Sequence, residues 1–433
     1  MVAKEKCSWL HPQFWRDRTR LAKRVLRRHR LVPQPSVYRR AADVWRALPI
    51  PATVIRVVST VVLRRPWHIT VPIDRLLLGA PTGGWTPQQF AEVTDDLLWP
   101  STRLVDGPHV DLLRHAEATD ESILSSWYGR MARRCIDARG SYLGATDDQG
   151  IVAVARAFVD SARIPNAGPP DSPLVAPVSG SDFYQVIEGH HRLASAAARG
   201  EASARVRARW FPVTTPLQDL LLRMSWLDGT RELYQPVDAP ELKRGWTTVR
   251  RCTDRLEKMQ TFLDARDVRG SYLDVASCYG WFVAAMERAG FEAFGIEYDP
   301  LAVPLGRAVY RLRDGQIATG DATELLATCD RTWDVVTCFS LLHHFVIEWR
   351  SVSPETLLKL LDKATDKVLF IDVGQEHEEW LRKSMSGWNP AFISEFLQRN
   401  TTFDEVIDLG PDDDARPPYA ANYGRHLFAC VRR

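Results

Sequence analysis

The chain is expected to fold in the α/β class, on three observations within residues 271–345. Residues 271–300, SYLDVASCYGWFVAAMERAGFEAFGIEYDP, read as a strand, a tight turn, a helix and a second strand. A carboxylate, Glu297, closes that second strand. Two more strand candidates follow, one ahead of Gly320 and Asp321 and one in the apolar run WDVVTCFSLLHHF at residues 333–345.

Each element has a physical reason. Residues 272–275 form a short β-prone run containing Asp274, and the small residues Ala276 and Ser277 with Gly280 allow a sharp turn and close approach to a ligand. Residues 281–289 repeat apolar side chains at helical spacing until Gly290. The turn therefore lies at a helix N-terminus, where backbone N–H groups favour an anionic or polar ligand. Residues 294–296 read as the next strand. Glu297 stands about twenty residues past the turn, where an acid accepts hydrogen bonds from ribose hydroxyls in a βαβ nucleotide site. Spacing alone leaves a dinucleotide, an adenosyl cofactor or no ligand as readings.

Across the 433 residues the composition is that of a globular protein, 45% hydrophobic and 25% charged, long enough for two or three domains. The net charge of +2 makes no global demand for nucleic acid or membrane. Seven cysteines without a C-x-x-C pair point to reduced thiols and to no metal site. The opening MVAKEKCSWLHPQFWRDR lacks a signal-peptide apolar core. Residues 48–63 are apolar but are interrupted by Pro49, Pro51 and Arg56, well short of a bilayer span. A cytoplasmic protein is the expectation. Residues 16–30 carry eight basic residues interleaved with Leu21, Val25 and Leu26. Such a helix suits contact with an anionic membrane surface at the inner face, or packs its stripe on the protein and leaves its charges solvated.

Composition separates a basic extension at residues 1–66, a region of short strands and helices at 67–212, a proline-punctuated connector at 213–244 with one helix near 217–227, and a domain at 245–433. In residues 247–265, Val249, Leu256, Met259, Phe262 and Leu263 fall near one helical face, which would lid the cofactor pocket.

The order of strands, turn and acids in residues 271–345 resembles the class I S-adenosylmethionine-dependent methyltransferases. The resemblance implies a Rossmann-like domain with S-adenosyl-L-methionine as cofactor. Asp274, Ala276, Ser277, Cys278 and Gly280 would frame the methionine end, Glu297 with Tyr298 would hold the ribose, Asp321 with Ala322 would bracket the adenine, and Ser340 to His344 would line the acceptor side. The family usually has glycine where Ala276 and Cys278 stand. The runs LLHHFV, VLFIDVG, EHEEW and PPYAANYGRHLFACV look like the methyltransferase part of bacterial kinase/methyltransferases that terminate polymannose chains by methylating a terminal phosphate or sugar. Protein-kinase motifs are absent from this chain.

The region 67–212 carries ITVPIDRLLLG at residues 69–79 and DFYQVIEGHHRLASAAARG at residues 182–200. In the second run a helix N-terminus, two imidazoles and a guanidinium would converge on phosphate. Adjacent histidines on a helix diverge by about 100°, which speaks against joint metal chelation. Both runs resemble the α+β ParB/sulfiredoxin-like fold, and EGHHR is similar to the DGHHR of its free-serine kinases. The resemblance implies phosphate or nucleotide binding, with ATP or ADP as the nucleotide, by Glu188, Gly189, His190, His191 and Arg192.

The expected activity is methyl transfer to a glycan, a phosphosugar or another small-molecule acceptor. A hydroxyl acceptor needs a base, and His344 or its neighbour His343 is the candidate because imidazole titrates near neutral pH. Two alternatives stay open: a bifunctional enzyme whose middle domain phosphorylates the acceptor before methylation, and a nucleic-acid-binding module with a methyltransferase appended. Nucleic acid is the weaker partner, since no helix-turn-helix pattern follows residue 200.

Overall fold

The structure is a computed structural model that describes residues 67–78, 102–115, 119–163, 172–224, 230–347, 352–413 and 424–433. The basic stretch 16–30 and the apolar run 48–63 lie outside the described residues. The chain forms two compact units, one comprising residues up to Leu220 with Asp238–Trp246, the other Leu221–Val237 with Thr247–Arg433. The expected connector is shared between them.

The first unit holds strands β1 (Trp67–Pro72), β2 (Leu76–Leu77), β3 (Leu174–Pro177), β4 (Tyr184–Glu188) and β5 (Ser203–Ala208). They form one mixed sheet in the order β1-β5-β3-β4-β2. Helices α1 (Pro108–Arg114), α2 (Asp120–Ser125), α3 (Trp127–Arg139) and α4 (Asp148–Ala162) fill the long interval between β2 and β3, and α5 (His190–Ala198) follows β4. Ser126 caps α3 by accepting from the Gly129 N–H, and Asp147 caps α4 by accepting from that of Gly150, so both helix starts are written in local sequence. α6 (Pro216–Arg223) covers the first part of the helix expected at 217–227.

The second unit adds the short strands β6 (Glu232–Leu233) and β7 (Thr247–Thr248), then α7 (Thr253–Asp264), β8 (Ser271–Val275), α8 (Trp281–Arg288), β9 (Glu292–Glu297) and α9 (Ala302–Tyr310). It continues with β10 (Ile317–Thr319), α10 (Ala322–Thr328), β11 (Trp333–Cys338), α11 (Leu342–Val346), α12 (Pro354–Ala364), β12 (Thr365–Asp372), α13 (Pro390–Asn400), β13 (Glu405–Pro411) and β14 (His426–Val431). The sheet order is β10-β9-β8-β11-β12-β14-β13. The first five strands in that order run parallel, and β14 lies antiparallel to both neighbours. Such strands are covered on both faces and therefore read as unbroken apolar runs: Leu369, Phe370 and Ile371 of β12 are fully buried.

The run 333–345 is not one strand, because β11 ends at Cys338 and residues Leu342–Val346 are a short helix. Ser340 makes the break by adopting a left-handed backbone with φ of 54°. The helix expected across 247–265 begins only at Thr253, since Thr247–Thr248 pair with Glu232–Leu233 as a strand.

The chain leaves β8 for β9 on one side and returns to β11 on the other. In open α/β sheets ligands bind outside the carboxyl ends of strands at such a reversal. The residues at those ends are Asp274, Glu297, Asp321, Ser340 and Asp372.

Candidate active site

The expected donor side lies at the turn after β8. Ala276 and Cys278 sit at φ of 66° and 53°, and Gly280, which starts α8, at 86°. Two of these left-handed positions are thus held by residues with side chains. The turn is braced to tolerate this. Gln235 donates from Nε2 to the Ser277 carbonyl at 3.1 Å and accepts at Oε1 from the Trp281 N–H at 3.1 Å. Its backbone exchanges two hydrogen bonds with the Tyr279 hydroxyl, at 2.8 and 2.9 Å. One N–H of the α8 start is therefore used by Gln235. Burial pushes the Cys278 thiol well above its ordinary pKa, so it is a protonated packing group and not a nucleophile.

Left-handed conformations cost an L-residue about 1–2 kcal/mol, and more when the side chain is β-branched. Cys278→Gly is therefore expected to match or exceed the wild-type stability in urea unfolding, whereas Cys278→Val loses about 1–3 kcal/mol. Equal stability of the two variants would show that the turn is not strained.

Glu297 closes β9 with both carboxylate oxygens engaged: Oε2 accepts from the Cys278 N–H at 2.8 Å, and Oε1 from those of Tyr298 and Asp299 at 2.9 and 3.1 Å. Burial raises its pKa, and these three N–H groups pull the other way. Tyr298, the next residue, is 64% exposed. Asp274 is buried, its Oδ1 accepts from the Thr337 hydroxyl at 2.8 Å, and its Oδ2 has no hydrogen-bond partner. Burial drives its pKa up to about 7, with the Thr337 bond opposing and Glu297 adding to the rise. An orphaned carboxylate oxygen in a water-poor site calls for a cation or a donor. S-adenosylmethionine carries an ammonium and a sulfonium, so the residues present fit it.

Asp321 caps α10, its Oδ1 accepting from the backbone and the hydroxyl of Thr323 at 2.8 and 2.6 Å, and Ala322 is half-buried against the core. These two stand beyond β10, at the same end of the sheet as Asp274 and Glu297.

On the other side of the reversal, α11 carries the paired histidines. His343 is buried, 5.5 Å from the Trp380 ring, and a Cβ on Gly374 would come within 3.1 Å of its Cγ. Burial, then Arg425, His344 and Arg250, lower its pKa well below the usual value. His343 is a neutral packing residue of the core. His344 is half-buried, its ring 4.3 Å from that of His343.

Beneath α11 runs a buried ionic network. Asp372 accepts at Oδ1 from the Ser340 N–H and at Oδ2 from Arg255 Nη1, each at 2.7 Å. Arg425 grips Glu378 with two bonds of 2.7 Å and donates to the Ser340 hydroxyl at 2.9 Å. Asp412 lies 3.4 Å from Arg250 and 3.9 Å from Arg255. Ser340, the expected acceptor-side residue, is thus pinned in its left-handed conformation by Asp372 of β12 and by Arg425, which immediately precedes β14. Gln235, Asp372, Glu378 and Arg425 escaped the sequence reading. EHEEW and YGRHLF were noticed there only as motifs.

The EGHHR residues lie in the first unit. His190 is buried and bonds the Leu78 carbonyl through Nε2. His191 Nε2 is 2.9 Å from the Tyr128 hydroxyl, and its ring packs edge-on to Phe158 at 4.2 Å. His109 stacks on His190 at 5.7 Å and meets His191 at 5.0 Å. Both imidazoles turn into an aromatic core, so the expected convergence of the two on a phosphate is not the arrangement found. Gly189 takes φ of 89°, Glu188 is exposed and bonded by Arg207 at 3.3 Å, and Arg192 is half-buried. Among the described residues no group of three or more His, Cys, Asp or Glu could hold a metal ion.

Burial, and then His190, push His191 down to about pKa 4. Burial lowers His109 as well, with His191 and His190 adding. The unfolded state takes up these protons first, at the ordinary histidine value near 6.5. The stability from neutral burial is present above about pH 6.5 and lost as pH falls toward 4. The urea midpoint of this unit should drop over that window in the full chain, and His191→Gln should flatten the drop. An identical drop in the variant would remove His191 as its source.

Residues 273–366 match the family model described as a methyltransferase domain, a span from Leu273 in β8 to Asp366 in β12. No curated protein sequence matches the chain. Among solved structures, the bifunctional kinase-methyltransferase WbdD is similar over 50% of this chain and 46% of its own, at 18% identity and a TM-score of 0.38. Magnesium protoporphyrin IX methyltransferase from Synechocystis PCC 6803, solved with bound SAH, is similar over 41% of this chain and 82% of its own, at 18% identity and a TM-score of 0.31. A methyltransferase from Clostridium acetobutylicum ATCC 824 covers 41% of this chain and 89% of its own, at 11% identity and 0.30. The chain thus spans less than half of the WbdD chain it resembles. The second unit therefore carries a methyltransferase domain over residues 273–366. Among the described residues no helix is long and apolar enough to cross a membrane.

Proposed function

We propose that the enzyme methylates a hydroxyl of a glycan or phosphorylated sugar. The observation that carries this reading is the half-buried imidazole of His344, on a one-turn helix directly after Ser340 and across the sheet reversal from Asp274 and Glu297. Glu297 would hold the ribose hydroxyls of the donor and Asp274 would face its cationic end. The donor supplies an electrophilic methyl group when bound. What the chain must add is alignment of the acceptor oxygen and a place for its proton. His344 would take that proton from the acceptor hydroxyl. Buried His343 backs its ring, and the Asp372–Ser340–Arg425 bonds fix the corner from which α11 starts.

Removing a general base costs about 10²–10⁴ in rate. His344→Ala is therefore expected to lose that much incorporation of labelled methyl into a cell-derived oligosaccharide fraction, while calorimetric affinity for S-adenosylhomocysteine stays within about twofold. Full turnover in the variant would point to an acceptor that is already anionic. A nucleotide-handling role for the first unit would rest on Glu188, Gly189 and Arg192, since His190 and His191 are committed to the core.

A further inference from the structure

We infer that Trp380 is the stacking platform of the acceptor subsite, and that it takes the apolar face of a pyranose ring. Among the described residues the large apolar side chains left exposed are Leu143, Tyr298 and Trp380, the last at 43%. Trp380 differs from an ordinary surface tryptophan in how it is held. Its Nε1–H donates to Glu378 Oε2 at 3.0 Å. Glu378 is fully buried, gripped on both oxygens by Arg425 and further bonded by the Gln375 N–H at 2.9 Å. Arg425 in turn donates to Ser340 at the end of β11. The ring also meets His343 edge-on, at 5.5 Å and 77°. The polar edge of the indole is thus locked inward while part of the ring surface stays in water.

A rigid exposed aromatic surface binds flat C–H patches with little ordering cost. A pyranose ring offers such a patch on one face and hydroxyls around its rim. Glu379 before Trp380 and Arg382 and Lys383 after it are exposed, so the same loop offers groups that can bond the hydroxyls around that rim. The subsite lies on the loop after β12, joined through Arg425 and Ser340 to the corner that carries His344.

This inference rests on the sugar-acceptor reading, and the test separates the two. Saturation-transfer NMR with a panel of methyl glycopyranosides, and glycerol as the acyclic control, is run on the full chain as wild type, Trp380→Leu and Trp380→Phe, each first shown to bind S-adenosylhomocysteine. Wild type is expected to bind at least one pyranoside and not glycerol, Trp380→Leu to bind it about tenfold more weakly, and Trp380→Phe to stay within about threefold. Undiminished pyranoside binding by Trp380→Leu overturns the platform and leaves the sugar acceptor standing. Failure of wild type to bind any pyranoside while it still binds S-adenosylhomocysteine overturns both.

Discussion

Glu297→Ala should raise the dissociation constant for S-adenosylmethionine about 100-fold or more in titration calorimetry, since hydrogen bonds to a charged group contribute about 1.5–3 kcal/mol each and a ribose offers two hydroxyls. A second loss comes with the first. The carboxylate also collects the N–H groups of Cys278, Tyr298 and Asp299, so its removal frees the turn after β8 as well. Glu297→Gln keeps an acceptor for some of these bonds and should fall between alanine and wild type. Unchanged affinity in the alanine variant would remove Glu297 from the donor site.

The second large effect concerns stability. Arg425→Met leaves Glu378 buried and without its counter-charge, and breaking a buried pair from one side costs about 3–5 kcal/mol. The side chains of Arg425 and Glu378 are 3% and 0% exposed, so water cannot replace the lost partner. Urea unfolding should therefore show a much lower midpoint for Arg425→Met than for wild type. The double variant Arg425→Met with Glu378→Met removes both charges and should recover most of that loss. A single variant as stable as wild type would mean that the network is not closed in solution. Because Arg425 also bonds Ser340, the single variant should slow methyl transfer even at temperatures where it remains folded.

What the sequence disclosed and what it hid divide by distance along the chain. The turn from Asp274 to Gly280 and its acid Glu297 lie within one βαβ segment, where strand, small residues and helix are each encoded locally. They were legible for that reason. The network under α11 was not, because Arg255 reaches Asp372 across 117 positions and Arg250 reaches Asp412 across 162. No periodicity records such a pairing. Gln235 was hidden in the same way, a single amide in a proline-punctuated segment 46 positions before the helix it helps to start.

Two misreadings have specific causes. An unbroken apolar run such as 333–345 is compatible with a buried strand or with a strand followed by a short helix, and the left-handed Ser340 that divides it leaves no mark in the pattern. The histidines of EGHHR were expected to converge with Arg192 on phosphate, because they open a helix. Tyr128 and the Leu78 carbonyl satisfy them inside, and neither partner is near them in sequence.

The most direct test of a sugar hydroxyl as acceptor is transfer of a labelled methyl group from S-adenosylmethionine by the full chain into fractionated cell extract. Label should enter the glycan fraction, as an ether stable to mild acid and base, and Glu297→Ala should abolish it. Label confined to nucleic acid or protein, or incorporation that survives Glu297→Ala, would overturn the reading.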